Sequence, residues 1–353
     1  MKPVYLAGRG LACALGLDTY ASLIALRQGG VATSSRALPG ELGGSFPYYV
    51  IPYAQDSWNG RACNLVRRVA IEAGAEKIRS GALFISTSSF DIGANEPGAT
   101  NRNYREFSDE LVDWLEWTGS VYMVNTACTS SLNALMAAHA LLAAGDEEEA
   151  LVLGMELDNQ MTLAGFAALQ LLSHNSSKPF GAHRDGLVLG EAVSAMRLST
   201  VESSHWKMLG GANVVDGSQP TGSSASAVVT MYQRALAASG LAVDAIDLIK
   251  VQAAGSPSND RVEAEGLREA FGNVPPLVSF KAVMGHTMGA SGVAELALLT
   301  ACLEQGVWPI CANEIDEILG VDLAVYQPET VHHFMATILG FGGSHASVAF
   351  ERA

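Results

Sequence analysis

Two patterns of apolar and polar positions alternate along the chain. Short apolar runs that end at glycine or polar clusters predict buried strands, whereas apolar residues spaced three and four positions apart predict helices. The predicted strands are VYLAGRG, ALFISTSS, SVYMVNTAC, EALVLGMEL, SAMRLS, AIDLIKVQAA, FMATILGFG and SHASVAFER. The predicted helices are SLNALMAAHALLAAG, SASAVVTMYQRALAASGL, NDRVEAEGLREAF and GVAELALLTACLEQG. This alternation indicates an α/β fold whose strands are buried under helices on both faces.

The second half of the sequence echoes the first. Each half has a strand, a glycine-rich turn and a helix, and each closes on apolar strands. A chain of 353 residues is long enough for two such halves. We therefore predict an internal duplication, with an N-terminal half over residues 1–198 and a C-terminal half over residues 199–353.

Composition and charge narrow the range of partners. Hydrophobic residues make up 49% of the chain and charged residues 16%, which is enough apolar material for a large core. The formal net charge of −15 disfavours nucleic acid and anionic membranes as partners, because both require a basic surface. The densest basic run contains Arg61, Arg67, Arg68 and Lys77, and we expect it to be a solvated helix face.

Cysteine content and hydropathy indicate the compartment. The five cysteines are an odd number without close pairs, so neither a disulfide framework nor a zinc site is expected. The sequence shows no apolar run of 18 or more residues, which a membrane-spanning helix would need. We therefore expect a soluble protein of the cytoplasm.

The stretch NTACTSSLNAL places Cys128 between a predicted strand and a predicted helix. A thiol at a helix N-terminus faces free backbone N–H groups and the positive end of the helix dipole, and both stabilise a thiolate. A tight turn here would also leave amides free to bind an oxyanion. Cys128 is thus a candidate nucleophile, although cysteines among small residues are usually inert parts of a core.

Two later stretches combine glycines with residues that can take part in chemistry. In SFKAVMGHTMGASGVAEL, Lys281 and His286 precede a predicted helix, and the many small residues indicate that another group approaches the backbone closely. In LGFGGSHASVAFER, Phe341 lies between glycines. It is either a gate on a flexible support or part of a simple turn between two strands.

Together these motifs resemble the β-ketoacyl-acyl carrier protein synthases of fatty acid and polyketide assembly. Seven stretches carry the resemblance in the family's order: GRGLACALG, TACTSS, GFAALQLLS, KPFGAHRDGLVLGEA, GSPSND, KAVMGHTMGASGVAE and GFGGSHAS. The resemblance implies a thiolase-like fold, in which duplicated βαβαβ halves form α-β-α-β-α layers.

The resemblance also implies a reaction and a set of partners. Such enzymes accept an acyl chain from the phosphopantetheine of an acyl carrier protein, need no other cofactor, and condense it with a decarboxylated malonyl unit. They act as dimers, so this chain would pair with itself or with a second ketosynthase subunit.

Roles for individual residues follow from the same resemblance. Cys128 would be the nucleophile, and His286 one of two histidines that polarise the malonyl thioester carbonyl. Lys281 would be a structural or electrostatic partner of Glu263. The remaining implied positions are Asp260 as a structural carboxylate, Phe341 as the acyl gate, and Gly342 and Gly343 in the loop beside the oxyanion site.

The second histidine of the family is replaced here. Active members carry it at the head of an HGTGTPLND-like stretch, and the equivalent QAAGSPSND has Gln252 in that place. Losing one oxyanion donor costs roughly 2.7 to 4 kcal/mol. A glutamine amide still donates a hydrogen bond but carries neither a proton nor a charge at neutral pH. We expect acyl transfer onto Cys128 to survive and decarboxylation to weaken.

Two hypotheses stay open at this point. Gln252, the changed threonine positions Ala254 and Ser256, and shortened loops favour a partner subunit that resembles chain-length factors and pairs with a complete ketosynthase. The retained Cys128 favours an active condensing or acyl-transfer enzyme. His345, which follows GGS where the family usually has asparagine, is either a compensating imidazole or a hydrogen-bonded structural residue.

Overall fold

The computed structural model describes residues 2–38, 43–55, 57–96, 103–218 and 220–353. In these ranges the strands are β1 (Val4–Cys13), β2 (Ser34–Ala37), β3 (Ser45–Tyr49), β4 (Ala82–Ser86), β5 (Val121–Val124), β6 (Glu149–Glu156), β7 (Leu189–Gly190), β8 (Ala192–Ser199), β9 (Trp206–Val215), β10 (Leu248–Lys250), β11 (Leu277–Val278), β12 (His333–Leu339) and β13 (Ser344–Arg352). The α-helices are α1 (Thr19–Arg27), α2 (Trp58–Glu72), α3 (Ile92–Asn95), α4 (Tyr104–Leu115), α5 (Ser130–Ala144), α6 (Gln160–Ala168), α7 (Ala225–Ser239), α8 (Pro257–Phe271), α9 (Lys281–Met284) and α10 (Ser291–Gln305).

Every strand and helix predicted from the apolar pattern is present. β10 is the shortest match, because only three residues of AIDLIKVQAA are strand. The pattern does not predict β9, whose sequence WKMLGGANVV contains two adjacent glycines. Glycine within a strand weakens the sequence signal, since it adds no side chain to the alternation.

The large sheet has ten strands in the described part of the chain, in the order β11-β10-β12-β13-β9-β1-β8-β6-β4-β5. β9 and β1 meet at its middle, where Val4 and Tyr5 pair with Met208 and Lys207. Each half contributes five strands to this sheet. If the five are numbered in chain order within their half, both halves show the order first, fifth, fourth, second, third from the junction to the edge. The repeated order confirms the thiolase-like duplication, while the exact boundary near residue 198 stays a prediction.

Helices fill the space between the two halves of the sheet and cover their outer faces. α5 and α10 lie between the halves, because α5 contacts β4 and β6 as well as β9 and β13, and α10 contacts β1 and β8 as well as β12. α2, with α4 beside it, covers the outer face of the N-terminal half. α7, with α8 beside it, covers the C-terminal half. The result is the expected series of α-β-α-β-α layers.

The central position of α5 explains its composition. Leu132, Leu135, Ala138 and Leu142 are fully buried on this helix. By length and apolarity, residues 127–144 also pass as a candidate membrane span, with 56% of that window buried inside the protein. The window is not an uninterrupted apolar run, since it contains Thr129, Ser130, Ser131, Asn133 and His139, and a buried core helix passes the same test. A helix packed on both sides needs apolar residues nearly all round.

The basic run on α2 is not uniformly solvated, contrary to the expectation. The Arg61 side chain forms a two-pronged ion pair with the fully buried Glu191, with Nη1–Oε1 at 2.5 Å and Nη2–Oε2 at 2.7 Å. Glu191 also accepts hydrogen bonds from the backbone N–H groups of Ile51 and Asp158. Arg61 thus balances a charge that would otherwise be isolated in the core. Arg67, in contrast, is at the surface, where its Nε donates to the Trp114 carbonyl.

We predict that Arg61→Ala lowers the free energy of unfolding by about 3 to 5 kcal/mol, because it leaves the Glu191 carboxylate buried without its cation. Arg67→Ala is the matched control and should change the free energy by less than about 0.5 kcal/mol. Urea denaturation of both variants measures the difference. Equal losses in the two variants would contradict the assigned role of Arg61.

Candidate active site

A strained turn presents Cys128 between β5 and α5. Ala127 has a φ of +53°, which is rare for a residue with a side chain and is held by its surroundings. Ser130 Oγ accepts from the Thr126 N–H at 2.9 Å and donates to the Ala127 carbonyl at 2.6 Å. These bonds fix the turn, and they leave the thiol of Cys128 at the start of α5 with only 4% of the residue exposed.

The GFGG loop between β12 and β13 packs against this turn. Thr129 Oγ1 lies 2.8 Å from Ser344 Oγ, which ties the loop to the start of α5. The backbone amides of Phe341 and of Cys128 itself lower the pKa of the Cys128 thiol, so both lie near its sulfur. Amides beside a nucleophile are the donors that would stabilise the charge on a thioester carbonyl oxygen bound there.

The glycines of this loop have structural tasks. The Gly342 N–H donates to the Pro220 carbonyl at 2.8 Å, so it is not directed at the thiol. A Cβ on Gly343 would lie 1.6 Å from the Asp216 carbonyl oxygen. The Gly342 amide is therefore already used within the loop, whereas the Phe341 amide lies near the sulfur. The Phe341 ring stacks on Phe166 of α6, with centroids 5.2 Å apart, and its role as the acyl gate stays a prediction.

His286 faces the thiol from the other side. Its Nε2 lies 3.1 Å from Cys128 Sγ, and its Nδ1 lies 3.1 Å from Lys281 Nζ and 3.3 Å from Ser291 Oγ. A lysine ammonium only donates, so Nδ1 must accept and the ring proton must reside on Nε2. His286 consequently presents an N–H to the sulfur and to any carbonyl oxygen bound there.

The carboxylate partner of Lys281 is Glu295 on α10, and the predicted pairing with Glu263 is wrong. Lys281 Nζ bonds Glu295 Oε1 and also lies 3.1 Å from Ser291 Oγ. The sequence carried a signal for this residue, since Glu295 is the one charged residue in the otherwise apolar stretch SGVAELALLTAC. An unexplained charge inside an apolar helix usually has a buried partner.

Glu263 and Asp260 instead hold the turn that carries Gln252. Glu263 accepts from the N–H groups of Gln252 and Ala253, both at 2.7 Å. Asp260 accepts from Ala254 and Gly255 at 3.1 Å and from Phe180 at 2.9 Å. Two buried carboxylates thus satisfy successive backbone donors, and they fix the backbone of residues 252–255.

Gln252 lies on the inner face of the sheet. Ile249 and Val251 pack into the outer core of the C-terminal half, whereas Leu248 belongs to the central core. Alternation along the strand therefore turns Lys250 and Gln252 toward the central layer. Only 7% of Gln252 is exposed, and its Oε1 has no hydrogen-bond partner among the described residues.

His345 faces away from Cys128, so neither role predicted for it holds. Ala346 packs into the same central core as Cys128, whereas Ala349 packs into the outer core. His345 shares the outer face with Ala349 by alternation along β13. Both of its ring nitrogens are buried and lack a hydrogen-bond partner within the described residues. It neither compensates for the missing imidazole nor forms a hydrogen-bonded support.

The thiol and the imidazole are both uncharged in the resting site. Burial raises the pKa of Cys128 to about 11, and it outweighs the Phe341 amide and the Lys281 charge, which lower it. Burial and the cations Lys281 and Lys250 hold the pKa of His286 well below its usual range. Desolvation of the thiol therefore outweighs the stabilisation of a thiolate expected from the helix terminus.

Comparison with known proteins places this site in a family. The model of the β-ketoacyl synthase N-terminal domain matches residues 85–204, and that of the β-ketoacyl synthase C-terminal domain matches residues 208–314. The chain belongs to the β-ketoacyl synthase family. The two matches contain the Cys128 turn and the Lys281–His286 loop respectively.

Similar proteins differ in length and organisation. A non-reducing polyketide synthase of Macrophomina phaseolina, dpmpA, is 29% identical over 284 residues, which cover 70% of this chain and 13% of that protein. The 3-oxoacyl-[acyl-carrier-protein] synthase 2 of Mycobacterium bovis is 28% identical over 252 residues, 64% of this chain and 60% of that protein. The fold matches a chain of the complex between a ketosynthase (ApeO) and its chain length factor (ApeC) from Xenorhabdus doucetiae. The TM-score is 0.86 at 23% identity, and the match covers 100% of this chain and 98% of that chain.

We predict that alkylation of Cys128 by iodoacetamide is slow at pH 7 and accelerates about tenfold per pH unit up to pH 9, because only the thiolate reacts. With a pKa of about 11, the thiolate fraction still rises throughout this range. Peptide mass mapping follows Cys128 separately from the other four cysteines, and Cys128→Ser is the control for peptide assignment. A rate that reaches a plateau below pH 8 would contradict the neutral resting site.

Proposed function

We propose that this chain is a ketosynthase-like subunit of a type II fatty acid or polyketide assembly system, which pairs with a complete ketosynthase as chain-length factors do and shapes its acyl tunnel. The proposal rests on a difference between the two half-reactions, because the site has more of the groups needed for acyl transfer than of those needed for decarboxylation. The groups needed to hold an acyl chain on Cys128 are in place, whereas the second imidazole needed for decarboxylation is replaced by Gln252.

The acyl-transfer half of the site is supported by contacts. Cys128 has two backbone amides beside its sulfur and the His286 Nε2–H at 3.1 Å. These donors would stabilise the oxyanion formed when the thiol attacks an acyl thioester on the phosphopantetheine of a carrier protein. The attack forms a C–S bond to Cys128 and breaks the acyl C–S bond to phosphopantetheine, whose sulfur leaves as a thiol with the proton that Cys128 loses.

In the part of the site that would serve decarboxylation, the side chain at position 252 departs from the family pattern, while the backbone around it is held in place. Glu263 and Asp260 hold the backbone of residues 252–255 by four hydrogen bonds. Gln252 therefore occupies a fixed position, but its amide supplies neither positive charge nor a transferable proton to a developing enolate. A subunit with this site benefits from a partner that carries both histidines.

A surface suited to such a partner lies next to the Cys128 turn. β5 is an edge strand of the large sheet, so one side of its backbone is unpaired within the described chain. Tyr122 on this strand is 41% exposed, and Val121, Met123 and Val124 are half-buried. A short apolar edge strand is a template for pairing with another chain. The similarity in fold to a chain from a complex of a ketosynthase with its chain length factor supports a partner of the same fold.

A second candidate function is that of an active β-ketoacyl-acyl carrier protein synthase. The 3.1 Å contact between Cys128 and His286, with Lys281 behind the imidazole, favours it. On this hypothesis the chain forms a homodimer, and the Gln252 amide does part of the work of the missing histidine. The two candidates differ in what the chain assembles with and in whether it forms a ketoacyl product alone.

We predict that native mass spectrometry of this chain, co-expressed with a complete ketosynthase of the same assembly system, shows one copy of each. Tyr122→Asp should dissociate the pair, because it buries a charge at the β5 edge. Tyr20→Asp is the matched control, since Tyr20 is 73% exposed on α1, and it should leave the pair intact.

Two results together would contradict this prediction. The chain would remain a homodimer when the ketosynthase is present, and it would by itself condense the acyl and malonyl groups that carrier proteins deliver. Loss of the ketoacyl product in Cys128→Ser would then assign the chain to the second candidate.

A further inference from the structure

A second buried lysine lies behind the active site. Lys250, at the end of β10, has no exposed surface. Its Nζ lies 2.8 Å from Glu295 Oε2 and donates to the Thr337 carbonyl at 2.7 Å. Glu295 therefore bonds one lysine with each carboxylate oxygen, Lys281 through Oε1 and Lys250 through Oε2. Neither the sequence pattern nor the acyl-transfer contacts at Cys128 account for Lys250.

The charges of this cluster do not balance. As ammonium groups, Lys250 and Lys281 place two positive charges around the single carboxylate of Glu295, and all three side chains are fully buried. Burial lowers the pKa of Lys250, and the Glu295 carboxylate opposes this shift. Burying an uncompensated charge is costly, so its retention calls for a reason. Lys250 lies two residues before Gln252, so the two side chains project from the same face of the sheet.

We propose that Lys250 is a positioning residue that, as the second cation on Glu295, keeps His286 a neutral Nε2–H donor opposite Cys128. Glu295, held from both sides, fixes Lys281 where it donates to His286 Nδ1. The added positive charge opposes protonation of the imidazole, since a third cation in the cluster would be repelled by the other two. The site thereby keeps its remaining imidazole in the form that donates to a thioester oxygen.

Several charged groups around this cluster shift one another's pKa values. Lys281 and Lys250 both lower the pKa of His286, and burial acts in the same direction. Glu263, on α8, is the next carboxylate, and burial raises its pKa to about 7 while Lys250 lowers it. Glu156, held by serines after β4, raises the pKa of Cys128. Removing the charge of Lys250 should therefore raise the pKa of His286 and that of Glu263.

The test follows the His286 imidazole in ¹⁵N-histidine-labelled protein by NMR from pH 5 to pH 8, with signals assigned through His286→Gln. In the unaltered protein we expect the signals of a neutral ring with its proton on Nε2 throughout. Lys250→Gln keeps hydrogen-bond donors but removes the charge, so the titration midpoint should shift upward and protonated signals should appear at the acid end. Lys250→Arg restores the charge and should restore the neutral ring.

Unchanged His286 signals in folded Lys250→Gln would overturn the proposal, as would a ring protonated on Nδ1 in the unaltered protein. If Lys250→Gln does not fold, Lys250→Met serves as the neutral variant, because an apolar side chain tolerates the buried position better. The inference deepens the proposed function, whose retained Cys128–His286 site it concerns. The NMR readout is nevertheless independent of partner binding and turnover, so a failure of one does not imply a failure of the other.

Discussion

The carboxylate of Glu295 is the constraint on which the rest of the site depends. It lies on α10, the helix between the two halves of the sheet, and it is fully buried among apolar neighbours. A carboxylate in such a place is tolerated only with cations against it. Lys281 is thereby held against His286 Nδ1, and this contact sets the tautomer of the imidazole. Cys128 consequently faces the Nε2–H group of that ring. One buried ion pair in the central layer thus determines the chemistry at the thiol.

The duplicated fold supplies the two sides of the site from different halves of the chain. Cys128 comes from the strained turn between β5 and α5 in the N-terminal half. His286, Gln252 and the Phe341 amide come from loops of the C-terminal half, and Thr129 and Ser344 join the two sides by a hydrogen bond. Because both sides are anchored to the central layer, their relative positions are set by the packing of α5 and α10. On the proposed function, Gln252 changes the chemistry of the site, while the hydrogen bonds that hold its backbone are in place.

Much of this arrangement could be predicted from the sequence, for physical reasons. The strands are buried on both faces, so their apolar runs are conspicuous, and Cys128 and His286 lie in turns marked by small residues. Pairings between distant residues were harder to predict. Lys281 pairs with Glu295 instead of Glu263 because of how α10 packs, and Arg61 reaches Glu191 from a helix face that looks solvated in sequence. The side of the sheet that His345 faces depends on strand register, which a histidine between small residues does not reveal. The resting charge of the thiol depends on burial, which no short motif records.

On the proposed function, the site still transfers an acyl chain onto Cys128, and it has lost decarboxylation because Gln252 replaces the second histidine. The measurement that tests it most directly pairs the intact mass of the purified chain, after incubation with an acyl carrier, with the release of carbon dioxide from a malonyl carrier. We expect an acyl mass on Cys128 in the unaltered chain and in Gln252→His, with carbon dioxide released about a hundredfold faster by the variant. Release by the unaltered chain as fast as by Gln252→His would contradict the account.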